Sequence, residues 1–239
     1  MKARSGLVIL VLFAGATLGF GGPEVRASDT PEKTLLWVGH QVTLGRRVLP
    51  VLGTVETRSD TWVLALVSRT AGKVELVERA CRVRMAEAAG AKVTLADAAV
   101  RALPPTRVVY TRRSGAEDWR AGPWRSGWDA EDHDQDGHPG VSLAVDAPLC
   151  GGHLFVASRA LSIARASDWQ GALRGELKVK LAQTILGAEG ACLGLVSSDR
   201  DERLLGRVAY LPVRGDATCD SLEREGWLDR RLADESLAP

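Results

Sequence analysis

Three aspartates at alternate positions, Asp132, Asp134 and Asp136, run into Gly137 inside the stretch Asp129 to Gly140, which reads Asp-Ala-Glu-Asp-His-Asp-Gln-Asp-Gly-His-Pro-Gly. Carboxylates on every second residue of a tight loop can converge on one point. A hard cation such as calcium takes about six to eight oxygens at roughly 2.3–2.6 Å, and this order offers three carboxylates, a sharp turn and then the His138 carbonyl. Asp129, Glu131 or Asp146 could add a further carboxylate. The competing reading is a solvated acidic turn, in which Asp and Gly are common. His133, His138 and His153 are three of only four histidines and could hold zinc with carboxylates, although their spacing matches no established zinc motif.

The stretch resembles an EF-hand loop, or the similar D-x-D-x-D-G loops of non-helical calcium proteins, over about a dozen residues. That resemblance implies a bound calcium ion. It departs from the pattern at the twelfth loop position, where Leu143 stands in place of a bidentate Glu, and Pro139-Gly140 leads into a strand pattern and not a helix. With the closing ligand missing, affinity is expected at the weak extracellular end, around 10⁻⁴ to 10⁻³ M.

Trp119, Trp124 and Trp128 lie just before the loop, in a chain with seven tryptophans but two tyrosines and three phenylalanines. Aromatic faces beside a cation loop could bind a glycan or a small apolar ligand. The plainer reading has them covering the core beneath a long loop. His40, on an apolar strand face, reads as a hydrogen-bonded core histidine. No G-x-S-x-G, H-E-x-x-H, P-loop or G-x-G-x-x-G occurs. Ser158 lacks the glycines of a nucleophile elbow, and the carboxylates Glu75 and Glu78 form a glycosidase pair only if folding sets their separation. A non-catalytic role leads; a secreted hydrolase with a catalytic metal is the alternative from another class.

The elements that must position these groups are strands. Val38, His40, Val42 and Leu44 alternate with Gly39, Gln41, Thr43 and Gly45, the pattern of a strand with one buried face. Val48 to Thr57, interrupted by Pro50 and Gly53, reads as a bent or edge strand, and Trp62 to Val67 as a central one. Lys73 to Met85 changes phase midway, which predicts a β-bulge with the Cys81 sulfur inward. Shorter candidates are Val93–Leu95, Arg107–Thr111, Val141–Val145, Leu154–Ala157, Leu193–Val196 and Arg207–Val213. In Glu176 to Leu186, Leu177, Val179 and Leu181 oppose Glu176, Lys178 and Lys180. Helices are expected only at Ala96–Leu103 and Ser221–Leu232. The fold class is all-β, a single antiparallel β-barrel, with a β-sandwich as the alternative, carrying a long loop and a short C-terminal helix. Leu44–Gly53 and Leu205–Gly215 echo one another, as expected if first and last strands close a barrel.

Lys2 and Arg4, an apolar run from Gly6 to Phe20 and the small-residue pattern Val25-Arg26-Ala27 make residues 1–27 a secretory signal peptide. This predicts one secreted or periplasmic domain, 28–239, with no membrane span after cleavage. Removing residues 1–27 takes away Lys2, Arg4, Arg26 and Glu24, leaving 28 basic and 29 acidic residues of the original 31 and 30. Such a balance provides no field for nucleic acid or anionic lipid. Cys81, Cys150, Cys192 and Cys219 fit neither C-x-x-C nor a zinc ribbon and read as two disulfides. Of three pairings, Cys150 with Cys192 and Cys81 with Cys219 is the one taken forward; spacing does not exclude the others. Trp124-Arg-Ser-Gly-Trp-Asp129, Asp136-Gly-His-Pro-Gly140, Cys150-Gly-Gly152 and Cys219 resemble a group of uncharacterised secreted bacterial proteins. This resemblance implies one secreted domain and brings no activity with it. The functional expectation is a calcium-stabilised, disulfide-bonded β-barrel that binds a ligand or serves the envelope structurally; a lipocalin-like carrier would show an apolar cavity where a filled core is otherwise expected.

Overall fold

Period-two runs from residue 35 onward form ten strands: β1 (Leu35–Leu49), β2 (Gly53–Arg69), β3 (Lys73–Met85), β4 (Lys92–Leu95), β5 (Thr106–Thr111), β6 (Trp119–Trp128), β7 (Val141–Asp146), β8 (Gly152–Trp169), β9 (Ala172–Glu189) and β10 (Arg200–Pro212). The computed structural model describes residues 35–49, 53–148, 150–169, 171–190, 192–230 and 232–233. All belong to the unit Glu32–Pro239. The expected signal peptide lies outside the described residues.

All ten strands belong to one antiparallel sheet, as an all-β fold requires. Eight of them, β1, β2, β3, β5, β6, β8, β9 and β10, pair in sequence order and close a ring through β1 with β10. The two echoing segments meet in that closing pair, where Leu44 faces Leu205. The remaining strands are insertions: β4 pairs with β7, and β7 with the first residues of β8. β6 takes the rest of that same edge of β8.

Every ring strand contributes to one apolar cluster, with Trp37, Ala65, Leu76, Tyr110, Trp119, Ala166, Leu173 and Tyr210 among its members. Burying each large apolar side chain contributes about 1.5–3 kcal/mol, so this cluster is the main source of stability. Neighbours in sequence face outward: Glu176, Lys178 and Lys180 are solvent-facing or partly so, beside buried Leu177 and Val179, as the alternation predicted. Each lysine on that face would cost about 2–4 kcal/mol at the middle of a bilayer. No described helix is long and apolar enough to cross a membrane.

A second cluster covers the outside of β1, β2 and β10. There Val38, Val42, Trp62 and Ala209 meet Leu222, Leu228 and Leu232 of the C-terminal segment. This segment holds the short helix α3 (Cys219–Arg224), started by a Thr218–Ser221 capping box, and a 3-10 turn at Trp227–Asp229. His40 is the fully buried core residue that its strand position indicated. Its Nδ1 accepts the Ala233 N–H at 3.1 Å, which leaves Nε2 as the donor to Asp60 at 2.9 Å. Trp62 stacks on it at 4.6 Å. Burial pushes the Asp60 carboxyl up, but hydrogen bonds from Arg58 and His40 and the Arg58 charge outweigh that and hold it well below the ordinary range.

The expected bulge is present: Trp62 faces Arg82 and Val63 faces Ala80, leaving Cys81 as the extra residue. The bulge turns the phase differently from the sequence reading. Cys81 packs with the outer cluster and is bonded to Cys219, while Val83 and Met85 turn to the interior. Cys150 is bonded to Cys192. Cα separations of 5.2 and 5.6 Å fall within the normal disulfide range.

Several elements differ from expectation: the helix expected over Ser221–Leu232 runs only Cys219–Arg224 before a separate 3-10 turn, and the strand expected at Leu154–Ala157 extends over Gly152–Trp169. Leu193–Val196 is a helical turn, α2, and not a strand. The run Val48 to Thr57 is no edge strand: it is the end of β1 and the start of β2, paired from Leu49–Gly53 inward, and residues 50–52 are not among those described. Trp119–Trp128, not among the expected strands, is β6. The helix expected at Ala96–Leu103 is present as α1 (Asp97–Ala102), between β4 and β5.

Candidate functional site: an acidic loop and an interior cavity

β6 delivers the chain to Asp129 and β7 takes it away from Gly140. The His133 N–H donates to the Gly140 carbonyl at 3.0 Å, and the Gly140 N–H to that of Glu131 at 3.0 Å, which pins the loop closed at its base. Gln135 and Gly137 take positive φ of 58° and 89°, letting the chain turn tightly. Ligand oxygens of Asp132, Asp134 and Asp136 come within 4.8 Å of one another.

Backbone donors hold each carboxylate. Asp132 accepts the N–H groups of Asp136 (3.2 Å) and Gly137 (2.9 Å), Asp134 accepts that of Ser142 (2.9 Å), and Asp136 accepts that of His138 (3.0 Å). The Ser142 hydroxyl donates to the other oxygen of Asp136. Burial raises the Asp136 carboxyl, but Ser142 and the His138 N–H outweigh it and keep it below the usual range. Asp134 Oδ1 is inaccessible and has no hydrogen-bond partner. Among the described residues no lysine or arginine pairs with the three. Converging carboxylates with one orphaned oxygen fit a hard cation, which Asp132, Asp134 and Asp136 would hold.

The side chains of the other sequence candidates make contacts of their own. Asp129 is occupied by the Glu131 N–H and by His133 Nε2 at 2.7 Å, and these hold its pKa down. The His138 ring stacks on Phe155 at 4.0 Å and, with His153, flanks Glu189 at 3.7 and 4.0 Å. The imidazole rings of His138 and His153 thus face Glu189. Asp146 ends β7 opposite Lys92. Leu143, at the twelfth loop position, turns into the interior. Ser142 is the residue that sequence reasoning missed: it touches two of the three aspartates, and no loop pattern singles out a serine that is the second residue of a strand.

The ring interior is filled at one end only. Towards the first hairpin it opens into a cavity of about 430 Å³. Apolar walls come from Val63, Val83, Val179, Leu181 and Leu204, with Gln41, Thr61 and Ser162 as polar points. β5 pairs with β3 only as far as Glu78, and with β6 only at Tyr110 and Thr111. Beyond that the gap between β3 and β6 is stopped by the β4–α1 insertion, which brings Leu95, Leu103 and Pro104 to the wall. Trp128 ties it there by donating from Nε1 to the Ala99 carbonyl at 3.2 Å.

The tryptophans divide accordingly. Trp119 is completely buried in the filled end, its Nε1 donating to Asp168 at 3.3 Å and Arg112 lying 4.3 Å above its ring. Trp124 and Trp128 line the cavity. The structure thus assigns Trp119 to the core and leaves no exposed face on it for a sugar.

Glu78 stands where filled and hollow halves meet. Tyr210 donates its hydroxyl to one carboxylate oxygen and the Gln41 amide donates to the other at 3.0 Å. Burial pushes its pKa up to about 7 against those two hydrogen bonds. The Tyr110 hydroxyl is buried without a partner, and burial with the nearby Glu78 charge pushes its pKa up. Glu75 faces outward to Arg107 (2.6 Å) and Lys73 (2.7 Å), so Glu75 and Glu78 do not form a pair.

Fold and site together define an antiparallel, disulfide-linked ring with an interior cavity and an outer loop shaped for a cation. Neither a protein-family model nor a curated protein sequence matches this chain.

Proposed function

We propose that this protein is a secreted or periplasmic, non-catalytic β-barrel that carries a small, mostly apolar ligand in its interior and is stabilised by calcium at the Asp132–Asp134–Asp136 loop. The observation that carries the reading is the 430 Å³ cavity inside the closed ring, within the size range of small-molecule sites and walled largely by apolar side chains with a few polar points. The cation loop lies outside the ring and offers oxygens only, which suits a structural role; catalytic zinc takes histidine-rich ligands with an open position. The two disulfides and a weak calcium site both suit an oxidising compartment rich in calcium.

Ligand carriage is tested with the neutral probe N-phenyl-1-naphthylamine. The native protein is expected to enhance its emission and quench Trp124 and Trp128. Ala160→Trp, which fills the cavity, is expected to weaken binding at least tenfold with an unchanged far-ultraviolet spectrum. Equal binding by both proteins would place the probe outside the ring and sink the carrier reading.

Calcium is tested separately by thermal unfolding. Binding confined to the folded state stabilises by about 2.7 kcal/mol at one hundred times Kd, several degrees in Tm. Millimolar calcium is expected to raise Tm of the native protein and not of an Asp134→Ala, Asp136→Ala variant. A shift with zinc alone, or none, rejects calcium.

A further inference from the structure

Two carboxylates are buried among the described residues, and they are treated differently. Asp60 has its cation beside it: Arg58 donates to both its oxygens at 2.7 Å. Glu78 is 5% exposed, and its hydrogen-bond donors, the Tyr210 hydroxyl and the Gln41 amide, are both uncharged. No described lysine, arginine or histidine forms an ion pair with it. A buried carboxylate left in this way must take up a proton or receive a counter-charge from outside.

The cavity is the route by which that charge can arrive, because Glu78 forms part of its wall. The other ionisable wall residues are Glu202 and Arg58, and the Arg58 guanidinium is committed to Asp60. Glu78 is thus a wall carboxylate whose two hydrogen-bond donors are both uncharged. A fatty acid entering this space would meet charge of its own sign, and a neutral molecule would gain burial alone. An ammonium group would gain burial for its tail and a charge-assisted hydrogen bond at its head.

We propose that the cavity takes a lipophilic amine, with its protonated nitrogen against the Glu78 carboxylate and its apolar body along Val63, Val179, Leu181 and Leu204. This rests on the carrier reading above and narrows its ligand to a chemical class. Tyr210 and Gln41 hold the carboxylate in place from β10 and β1, and Tyr110 faces it from β5. Both tyrosines have their pKa pushed up by burial and stay neutral in the working range, so Glu78 is the titrating group at this end of the cavity.

The test uses the mature chain with calcium present and three probes of one length: decylamine, decan-1-ol and decanoate, titrated by calorimetry at pH 8. The amine is expected to bind at least tenfold tighter than the alcohol, and the decanoate weakest. Glu78→Gln is expected to erase the difference between amine and alcohol. On the native protein, amine affinity is expected to fall about tenfold from pH 8 to pH 5.5 as Glu78 takes up its proton, while that of the alcohol stays level; the amine itself remains charged throughout. Alcohol or decanoate binding as tightly as the amine, or an amine preference kept by Glu78→Gln, overturns the amine and leaves the carrier intact. Failure of all three probes to bind overturns both.

Discussion

Replacing Cys81 and Cys219 together by serine is expected to remove about 4–5 kcal/mol of stability, the largest loss of any change considered. The bond joins residues 138 apart in sequence, and the chain-entropy argument gives about 5 kcal/mol for a loop that long against about 4 for the 42-residue separation of Cys150 and Cys192. A second effect adds to the first. Cys81 is the bulge residue of β3, and its bond fastens α3 beside the outer cluster that holds Val38, Trp62 and Leu222. Without it the C-terminal segment is held by burial, by the Trp62 bond to the Arg230 carbonyl, the Arg174 bond to the Leu232 carbonyl and the Ala233 N–H on His40, and by ion pairs of Arg82 and Arg84 with Glu223 and Asp229. Domains of this kind are stable by about 5–15 kcal/mol in total, so the variant should unfold at markedly lower urea. Equilibrium urea unfolding of the two serine pairs decides the matter. A loss below about 1 kcal/mol for the first pair, or a larger loss for the second, rejects the ranking.

The second large effect concerns pH. Glu78 titrates near 4.5 when solvated and about 7 when folded, so the native state holds its proton more tightly. Such a group contributes fully below about pH 4.5, and its contribution disappears as pH rises through 7. At about 1.4 kcal/mol per pH unit the whole swing is about 3 kcal/mol. Asp60 acts with the opposite sign: its lowered pKa stabilises above the normal carboxylate range and is lost in acid. Stability is therefore expected to peak near pH 5 and to fall towards pH 8. Glu78→Gln should remove the alkaline limb and match or exceed the native protein at pH 8, since a neutral amide can still accept from Tyr210. The urea midpoint at pH 5 and pH 8 checks this. A native protein equally stable at both would mean that the carboxylate is compensated inside the fold.

What was legible in the sequence was local. The aspartates converge because three of them fall within five residues around a turn, so their geometry needs no distant partner. Alternation in Glu176–Leu186 marked β9 because its inward residues are large and its outward ones charged. The Pro104-Pro105 stop bounded α1, whereas the cysteine pairing was one of three that spacing left open and the fold decided it.

Tertiary structure decided the rest wherever burial ran against hydropathy. β8 buries Ala164 and Ala166 while Leu161 and Ile163 face solvent, so its second half carried no strand signal; small side chains are what the crowded interior accepts there. β6 is interrupted by Gly122, Pro123 and Gly127, and pairing with β8 holds it extended regardless. Gly127 has no room for a side chain, since a Cβ would stand 2.1 Å from the Ser158 carbonyl. Glu78 occupies an inward position where a charge reads as outward, and only closure of the ring places it between a filled half and a hollow one. A cavity belongs to the distance between strands remote in sequence, and no stretch of residues encodes that distance by itself.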